Sequence, residues 1–325
     1  MLRAVIYGLG RWGSRLVESV QNSEKILFVK AISRNPGNHK EFSQKTGVRV
    51  VSSYGRVLKD SEIDAVVLAT PHSLHWKQIV QAAKVGKHVF VEKPLTLTRK
   101  TAEKAVEACR AAGVTLGLGF NRRYAPAFLD MMRRIRVGEI GDVLHLEAQQ
   151  SGPSGYRLNS GDWRASRAES PAGAMSGRGI HTLDSMIHIA GPVSTVYAYS
   201  DRRKLPEELE VDDTTSMLLR FAGGVTGYLG TIYATGDFWR VHVFGSKGWL
   251  EMRGDTELIA RGLDGAPRTF TFPSVDKERA ELEAFADAVE EKKNFLVPAE
   301  QAVNEIAVLE AIVASAAKGK PIQIK

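Results

Sequence analysis

Short apolar runs alternate with amphipathic stretches over the first 120 residues. The apolar runs are rich in β-branched residues, which is typical of buried strands, whereas the stretches between them repeat apolar residues at helical spacing. This alternation predicts a parallel sheet with crossover helices. The predicted strands are Arg3–Tyr7, Leu27–Ser33, Ala65–Ala69, His88–Val91 and Thr115–Gly119, and the predicted helices are Arg11–Gln21, Asn38–Thr46, Ser53–Lys59, Ser73–Val85 and Thr98–Ala112.

The pattern changes after residue 122. A long passage rich in Gly, Ser and Pro, 151–179, is interpreted as a functional loop, because long loops inside compact domains usually carry function. Strands then dominate, joined as hairpins by Gly-containing turns. The predicted elements are a helix at Pro126–Arg136, a strand at Val143–Ser151, a helix at Ile180–Ile189, hairpins joining Thr214–Phe221 to Val225–Tyr233 and Arg240–Phe244 to Trp249–Met252, and closing helices at Glu278–Lys292 and Glu300–Ala317.

The clearest chemical signal is the segment AVIYGLGRWG at residues 4–13. Gly8, Gly10 and Gly13 follow a predicted strand and open a predicted helix, which is the context that the G-x-G-x-x-G motif requires. The first glycine allows a tight turn, the second lets a pyrophosphate approach the backbone, and the third allows close helix–strand packing. The helix N-terminus adds unpaired N–H groups. We therefore predict a Rossmann-type dinucleotide site at these glycines, with Arg11 and Trp12 between them.

The end of the second predicted strand indicates which dinucleotide binds. NAD sites usually carry an acidic residue there to accept a hydrogen bond from the ribose hydroxyl, but this position is Ser33, followed by Arg34. A hydroxyl and a guanidinium suit a 2′-phosphate, which a carboxylate would repel. The sequence thus predicts a preference for NADP(H), with NAD(H) left open as the alternative.

Composition narrows the class of protein. The chain has 325 residues, 43% of them hydrophobic and 25% charged, which suits a globular protein of two domains. Its apolar runs are far shorter than a membrane span. The single cysteine, Cys109, rules out an internal disulfide framework and fits a reducing compartment, so a cytoplasmic location is expected. The net charge of +7 is dispersed and no nucleic-acid motif accompanies it, so neither nucleic acid nor membrane is an expected partner.

Five short motifs in order resemble the Gfo/Idh/MocA family of nicotinamide-dependent oxidoreductases. The resemblance covers essentially the whole chain. The matching residues are Gly8, Gly10 and Gly13; Ala69-Thr70-Pro71 with His75; Glu92-Lys93-Pro94; Gly119-Phe120-Asn121-Arg122-Arg123; and Gly179, His181 and Asp184.

The resemblance implies an α/β protein with a doubly wound N-terminal Rossmann domain at 1–122. A C-terminal α+β domain at 123–325 would carry a mainly antiparallel open sheet, and the last helices would pack back on the N-terminal domain. The substrate, commonly a sugar, cyclitol or related polyol or its ketone, would lie between the domains over the nicotinamide. The open sheet would form a homodimer or homotetramer. Cofactor contacts are expected from Ala69, Thr70, Pro71, His75, Glu92 and Lys93 in addition to the glycine loop, Ser33 and Arg34.

Lys93 is the predicted acid/base residue, since hydride transfer from an alcohol also requires removal of the hydroxyl proton. It stands at the carboxyl end of the fourth predicted strand, where open α/β sheets bind ligands. Pro94 fixes the turn that directs it. Burial and a charged nicotinamide would both favour the neutral amine. Glu92 either orients Lys93 or holds the nicotinamide ribose, and these two interpretations stay open.

His181 is the predicted catalytic partner, by resemblance, and it shares a helical face with Asp184. The family pattern often carries aspartate four residues before the histidine, whereas this chain has Gly177 there, with Arg178 next to it as a cation that could hold an acidic substrate. No catalytic metal is predicted. The predicted substrate contacts are Asn121, Arg123, Tyr156, Trp163, Arg164, Arg178 and Asp184.

Two other functions remain open at this stage. The glycine at 177 would also suit an NADP(H)-binding sensor that has lost catalysis. The third hypothesis is an enzyme that retains its cofactor and performs internal redox. Turnover, cofactor exchange and cofactor affinity distinguish the three.

Overall fold

A parallel sheet of six strands forms the centre of the first of two units. The computed structural model describes residues 1–324, and the first unit comprises Met1–Asn121 and Asp276–Val303. The strand order is β3-β2-β1-β4-β5-β6. The strands are β1 Leu2–Tyr7, β2 Ile26–Ile32, β3 Arg49–Val51, β4 Ala65–Leu68, β5 His88–Glu92 and β6 Leu116–Gly119, and the helices are α1 Arg11–Ser19, α2 Lys40–Thr46, α3 Tyr54–Leu58, α4 His75–Ala83, α5 Arg99–Ala112 and, from the later segment, α8 Lys277–Glu290.

The predicted doubly wound parallel sheet is confirmed, because every strand pair in this unit is parallel and the order reverses beside β1. Strand β3 is not among the predicted strands. This strand is three residues long and pairs only with β2, so neither its length nor its alternation separates it from a loop.

Helix α8 completes the first unit by packing its apolar face on β5 and β6. The Phe285 ring meets Phe90 edge-on at 5.5 Å between centroids. A side chain at Gly117 on β6 would place its Cβ atom 2.7 Å from the Phe285 ring, so glycine is required at this position for α8 to lie close. The chain therefore returns to the first unit after building most of the second.

The second unit, Arg122–Val275 with the chain from Asn304 onward, contains a sheet of nine strands. Its order is β14-β13-β12-β11-β7-β10-β9-β8-β15, and all pairs are antiparallel except β7 with β10. The strands are β7 Val143–Ser151, β8 Val193–Asp201, β9 Thr214–Phe221, β10 Thr226–Ile232, β11 Phe238–Gly245, β12 Gly248–Arg253, β13 Glu257–Gly262, β14 Arg268–Thr271 and β15 Ile322–Gln323. The helices are α6 Pro126–Arg136, α7 Ile180–Ala190 and α9 Ala299–Lys318, the last of which begins within the first unit.

Both predicted hairpins are confirmed, as β9–β10 and β11–β12. The passage 151–179 is more regular than a loop. It forms short 3₁₀ turns at Pro153–Arg157 and Trp163–Ala165, and it ends in a π-helical turn, Met175–Gly179, that continues directly into α7. Single π-helical turns of this kind occur often at functional sites.

Two kinds of feature are missing from residues 1–324. No helix there combines the length and the apolar character that crossing a membrane requires. No three His, Cys, Asp or Glu side chains come together in a set that could hold a metal ion.

Candidate active site

The glycine loop between β1 and α1 has the shape that a dinucleotide pyrophosphate requires. A Cβ atom at Gly8, whose φ is +106°, would lie 2.4 Å from the Ala69 carbonyl oxygen, and one at Gly13 would lie 1.9 Å from the Gly8 carbonyl oxygen. In contrast, nothing lies within 4 Å of a Cβ atom at Gly10. Gly8 and Gly13 thus allow close packing, whereas Gly10 leaves open space at the N-terminus of α1, where N–H groups attract phosphate. The loop fits the cofactor. Arg11 is exposed at the start of this helix.

Ser33 and Arg34 follow β2 directly. The Ser33 hydroxyl lies 2.8 Å from Nε2 of His39 and accepts a hydrogen bond from the Asn35 N–H at 3.4 Å. Arg34 is exposed and makes no ion pair or side-chain hydrogen bond with any of residues 1–324. No carboxylate occurs between residues 33 and 40. The end of β2 therefore offers a guanidinium and polar groups to a ligand.

His75 connects two turns at the carboxyl edge of the sheet. Its Nδ1 lies 3.0 Å from the Pro94 carbonyl oxygen and its Nε2 lies 3.0 Å from the Thr70 carbonyl oxygen. The side chain is fully buried. His75 thus fixes the Ala69–Pro71 turn against the turn after β5. Both ring nitrogens are thus close to backbone carbonyl oxygens, and the predicted contact of His75 with the cofactor stays a prediction.

Glu92 is the last residue of β5 and is buried, whereas Lys93 next to it is partly exposed. Oε1 of Glu92 has no hydrogen-bond partner among residues 1–324. Burial raises the pKa of Glu92 to about 7, while the Lys93 ammonium and the Trp12 indole N–H act in the opposite direction. Gly119 provides the space, since a Cβ atom there would lie 2.8 Å from Oε1 of Glu92.

Two carboxyl groups of α8, Glu278 and Glu281, extend this cluster, and neither belongs to a sequence motif. Glu281 lies one turn before Phe285 on the same helix face. It is fully buried, and neither carboxyl oxygen has a hydrogen-bond partner in the described part of the chain. Glu278 accepts hydrogen bonds from Nδ2 of Asn121 at 2.7 Å and from Arg15 at 2.9 Å. Asn121, predicted to contact substrate, is therefore bound to Glu278.

Burial raises the pKa of Glu281 well above 4.5, and the charges of Glu92 and Glu278 raise it further. An acid whose pKa is raised by folding binds more protons when folded, so stability falls as pH increases above the unfolded value. Glu281→Gln has no carboxyl group to titrate, so its free energy of unfolding does not fall in this way as pH increases. We expect the variant to be more stable than the wild-type protein, with an advantage that grows by about 1.4 kcal/mol per pH unit while only the unfolded carboxyl is ionised.

Urea unfolding between pH 5 and pH 8 measures this difference. Glu290→Gln is the matched control, because Glu290 is exposed on the same helix. A Glu281→Gln effect that does not change with pH would contradict the assignment of a neutral buried acid.

In the second unit, Arg123 and Asp184 bind each other. Arg123 Nε donates to Oδ2 at 2.8 Å and Nη2 donates to Oδ1 at 2.6 Å, and both side chains are almost completely buried. His188 Nδ1 lies 3.2 Å from Nη1 of Arg123. Burial, with help from Arg123, lowers the pKa of His188 to about 4, so its ring is neutral at pH 7. Arg123 and Asp184 thus form a buried ion pair that anchors α7, and their predicted contacts with the substrate stay a prediction.

His181 is buried in the first turn of α7, immediately after the π-helical turn. Arg178, within that turn, donates to the Ser154 hydroxyl at 2.9 Å, to the Ser151 carbonyl at 3.0 Å and to Asp237 at 3.1 Å. Its guanidinium therefore tethers the passage after β7 to the turn. Arg178 is the cation that was predicted to be able to hold an acidic substrate. These three acceptors already use much of its hydrogen-bonding capacity.

The remaining predicted contacts lie on the passage after β7. The Arg164 guanidinium stacks on the Trp163 ring at 4.0 Å from its centroid. Tyr156 is 56% exposed and its hydroxyl donates to the Ala234 carbonyl at 3.1 Å. The structure thus brings an aromatic ring and a cation together here, and the predicted contacts of Trp163, Arg164 and Tyr156 with the substrate stay predictions.

The open glycine loop at the carboxyl edge of a doubly wound parallel sheet is the arrangement of a dinucleotide-binding Rossmann fold. Residues 2–120 match the model of an oxidoreductase family with an NAD-binding Rossmann fold, and residues 128–251 match that family's C-terminal domain. The chain belongs to the Gfo/Idh/MocA family, as its motifs predict.

Relatives with known names act on cyclic polyols and sugars. The chain is 28% identical to scyllo-inositol 2-dehydrogenase (NAD(+)) of Bacillus subtilis, over 99% of this chain and 96% of that protein. It is 27% identical to D-xylose 1-dehydrogenase (NADP(+)) 2 of Haloferax volcanii, over 95% of both. A crystal structure from Desulfitobacterium hafniense, assigned as an NADPH-dependent oxidoreductase, superposes with a TM-score of 0.92 at 27% identity, covering 99% of this chain and 97% of that one.

Proposed function

We propose that the protein transfers hydride between NADP(H) and a sugar, cyclitol or related polyol or its ketone. The observation that carries this proposal is Lys93, which stands beside buried Glu92 at the same sheet edge as the open Gly10 loop. Ligands of open α/β sheets bind at this edge. The named relatives oxidise an inositol and a pentose, which supports the substrate class.

The chain's own residues handle the proton. A bound nicotinamide supplies the hydride acceptor or donor. Lys93 Nζ takes the proton of the reacting hydroxyl during oxidation and returns it during reduction, and His181 hydrogen-bonds the substrate as its partner. Glu92, with a pKa of about 7, stabilises the Lys93 ammonium once it forms. Positioned acid–base groups of this kind typically contribute about 10²–10⁴-fold to the rate.

The preference for NADP(H) rests on the end of β2. Arg34 is exposed, and the sequence from 33 to 40 contains no carboxylate that would accept a hydrogen bond from a ribose hydroxyl or repel a phosphate. His39 and the Ser33 hydroxyl add two polar groups within 2.8 Å of each other. A hydrogen bond to a charged group contributes about 1.5–3 kcal/mol, enough to set a preference of roughly 10–100-fold.

Steady-state kinetics with both cofactors tests this preference. We expect kcat/KM to be at least about tenfold higher with NADP⁺ than with NAD⁺, and Arg34→Ala to remove most of that ratio. Lys40→Ala is the control, since Lys40 is also exposed but lies further from the strand end. A wild-type preference for NAD⁺ would sink the assignment.

A panel of polyols and keto sugars tests the reaction itself. We expect turnover of at least one cyclic polyol or aldose with free exchange of NADP⁺. Tight NADPH binding without any turnover would instead identify a sensor. Cofactor that co-purifies and never exchanges would identify an internal-redox enzyme.

We also propose a cytoplasmic homodimer or homotetramer. Large apolar side chains are exposed on one face of the nine-stranded sheet, and exposed apolar surface commonly marks a protein interface. These residues are Tyr199, Leu218 and Phe238. Sedimentation velocity measures the oligomeric state, and a monomer would contradict this part of the proposal.

A further inference from the structure

The space beside Gly177 is filled by a hydroxyl from another strand. A Cβ atom at Gly177 would lie 1.9 Å from the Tyr233 hydroxyl oxygen and 3.0 Å from its Cζ atom. Tyr233 follows directly after β10, and no sequence motif marks it. The volume that a side chain at 177 would occupy therefore belongs to the Tyr233 hydroxyl.

Tyr233 is held in this place by its backbone and by its packing. Its backbone N–H donates to the Asp213 carbonyl at 2.8 Å, and its backbone carbonyl accepts from the Gly155 N–H at 2.9 Å. The residue is 4% exposed. Its ring packs in an apolar cluster formed by Ala165, Ala174, Leu205, Leu209 and Val211. Because the backbone of Tyr233 is hydrogen-bonded on both sides and its ring is buried, its hydroxyl occupies one position.

That position is in the π-helical turn that leads into α7, four residues before His181 in the chain. The Tyr233 hydroxyl oxygen lies 1.9 Å from the point that a Cβ atom of residue 177 would take. Gly177 itself belongs to the π-helical turn and is partly exposed. A polar group is therefore present one turn before His181, although residue 177 has no side chain.

The chemistry of this group differs from that of a carboxylate. Burial raises the pKa of Tyr233, and the nearby Arg164 and Arg178 only partly offset this effect. The phenol stays neutral at pH 7, so it donates a hydrogen bond and does not act as a base. A donor at this position suits a substrate oxygen, such as a hydroxyl next to the reacting carbon.

We propose that the Tyr233 hydroxyl contacts the substrate, as a specificity-determining group that donates a hydrogen bond to a substrate oxygen beside His181. This inference rests on the proposed polyol oxidoreductase function. It assigns to Tyr233 a role that residue 177 cannot have, because Gly177 carries no polar side chain.

Tyr233→Phe tests the role. We expect kcat/KM for the best polyol to fall by about 10–100-fold, with the dissociation constant for NADP⁺ unchanged. The preference for this polyol over its analogue lacking the neighbouring hydroxyl should also shrink, which a purely structural effect would not produce. Tyr228→Phe, on strand β10 itself, should change kcat/KM by less than threefold.

A stability cycle tests the geometry without using activity. Gly177→Ala should lower the melting temperature clearly in the Tyr233 protein and much less in the Tyr233→Phe protein, because removal of the hydroxyl leaves the nearest atom at 3.0 Å. Equal losses in both backgrounds would overturn the placement of the hydroxyl.

The outcomes also separate this inference from the proposed function. An active wild-type enzyme with an equally active and equally selective Tyr233→Phe variant overturns the role of Tyr233 alone. A wild-type protein that turns over none of the polyols overturns both the function and the inference.

Discussion

Replacing Lys93 with methionine is expected to lower kcat by about 10²–10⁴-fold, while the dissociation constant for NADP⁺ stays near its wild-type value. Methionine keeps the length and much of the apolar stem of lysine but cannot bind or release a proton. The glycine loop and the end of β2, which we propose to hold most of the cofactor, are separate from Lys93 in the sequence. Fluorescence titration with NADPH and steady-state turnover measure the two quantities.

Lys100→Met provides the matched control for this experiment. Lys100 lies in the same unit and is exposed near the start of α5. Its replacement should leave both kcat and cofactor affinity unchanged. A Lys93→Met protein that keeps its kcat within threefold would remove Lys93 from the mechanism.

Replacing Asp184 with asparagine is expected to destabilise the protein by about 3–5 kcal/mol, since it leaves the Arg123 guanidinium charged and buried without its carboxylate. The two groups are exposed by only 1% and 0% of their side-chain surface, so water cannot take over the lost interaction. Urea unfolding monitored by circular dichroism measures the loss. Activity should fall as well, because this pair anchors the helix that carries His181.

The Arg178–Asp237 pair is a natural control for the buried one. Its N–O distance is 3.1 Å, but Asp237 is 73% exposed, and exposed ion pairs contribute only about 0–1 kcal/mol. Asp237→Asn should therefore change stability little. Equal losses for Asp184→Asn and Asp237→Asn would show that burial does not determine the strength of these pairs.

The sequence predicted the parallel sheet because buried parallel strands form continuous apolar runs, and these need no knowledge of distant contacts. The glycine loop was predictable for a similar reason, since its function depends on three residues within six positions. Predicted helix ends differ from the observed ones by at most two residues, as at α1, which ends at Ser19 and not at Gln21. All these features depend on interactions between residues that are close in the sequence.

The contacts that the sequence did not predict join residues far apart in the chain. Asn121 meets Glu278, and Arg123 meets Asp184, although each polar residue alone looked available for a ligand. Pairing consumes hydrogen-bonding capacity, and only the folded arrangement shows which side chains are already used.

The position of the Tyr233 hydroxyl is a further contact that the sequence did not predict. Tyr233 lies after an ordinary strand, in no motif, yet its hydroxyl fills the space beside Gly177. The signal in the sequence was the glycine itself, because a glycine inside a helical turn often marks a close approach by another part of the chain. That signal locates a neighbour but does not identify it.

The return of α8 to the first unit determines how the protein can be recombined with its relatives. Phe285 and Glu278 contact Phe90 and Asn121, so residues 1–121 alone lack part of their own core. A cofactor module transplanted between homologues accordingly consists of two gene segments, 1–121 and 276–303. Substitutions in one segment therefore restrict which residues the other can accept, although more than 150 codons separate the two segments.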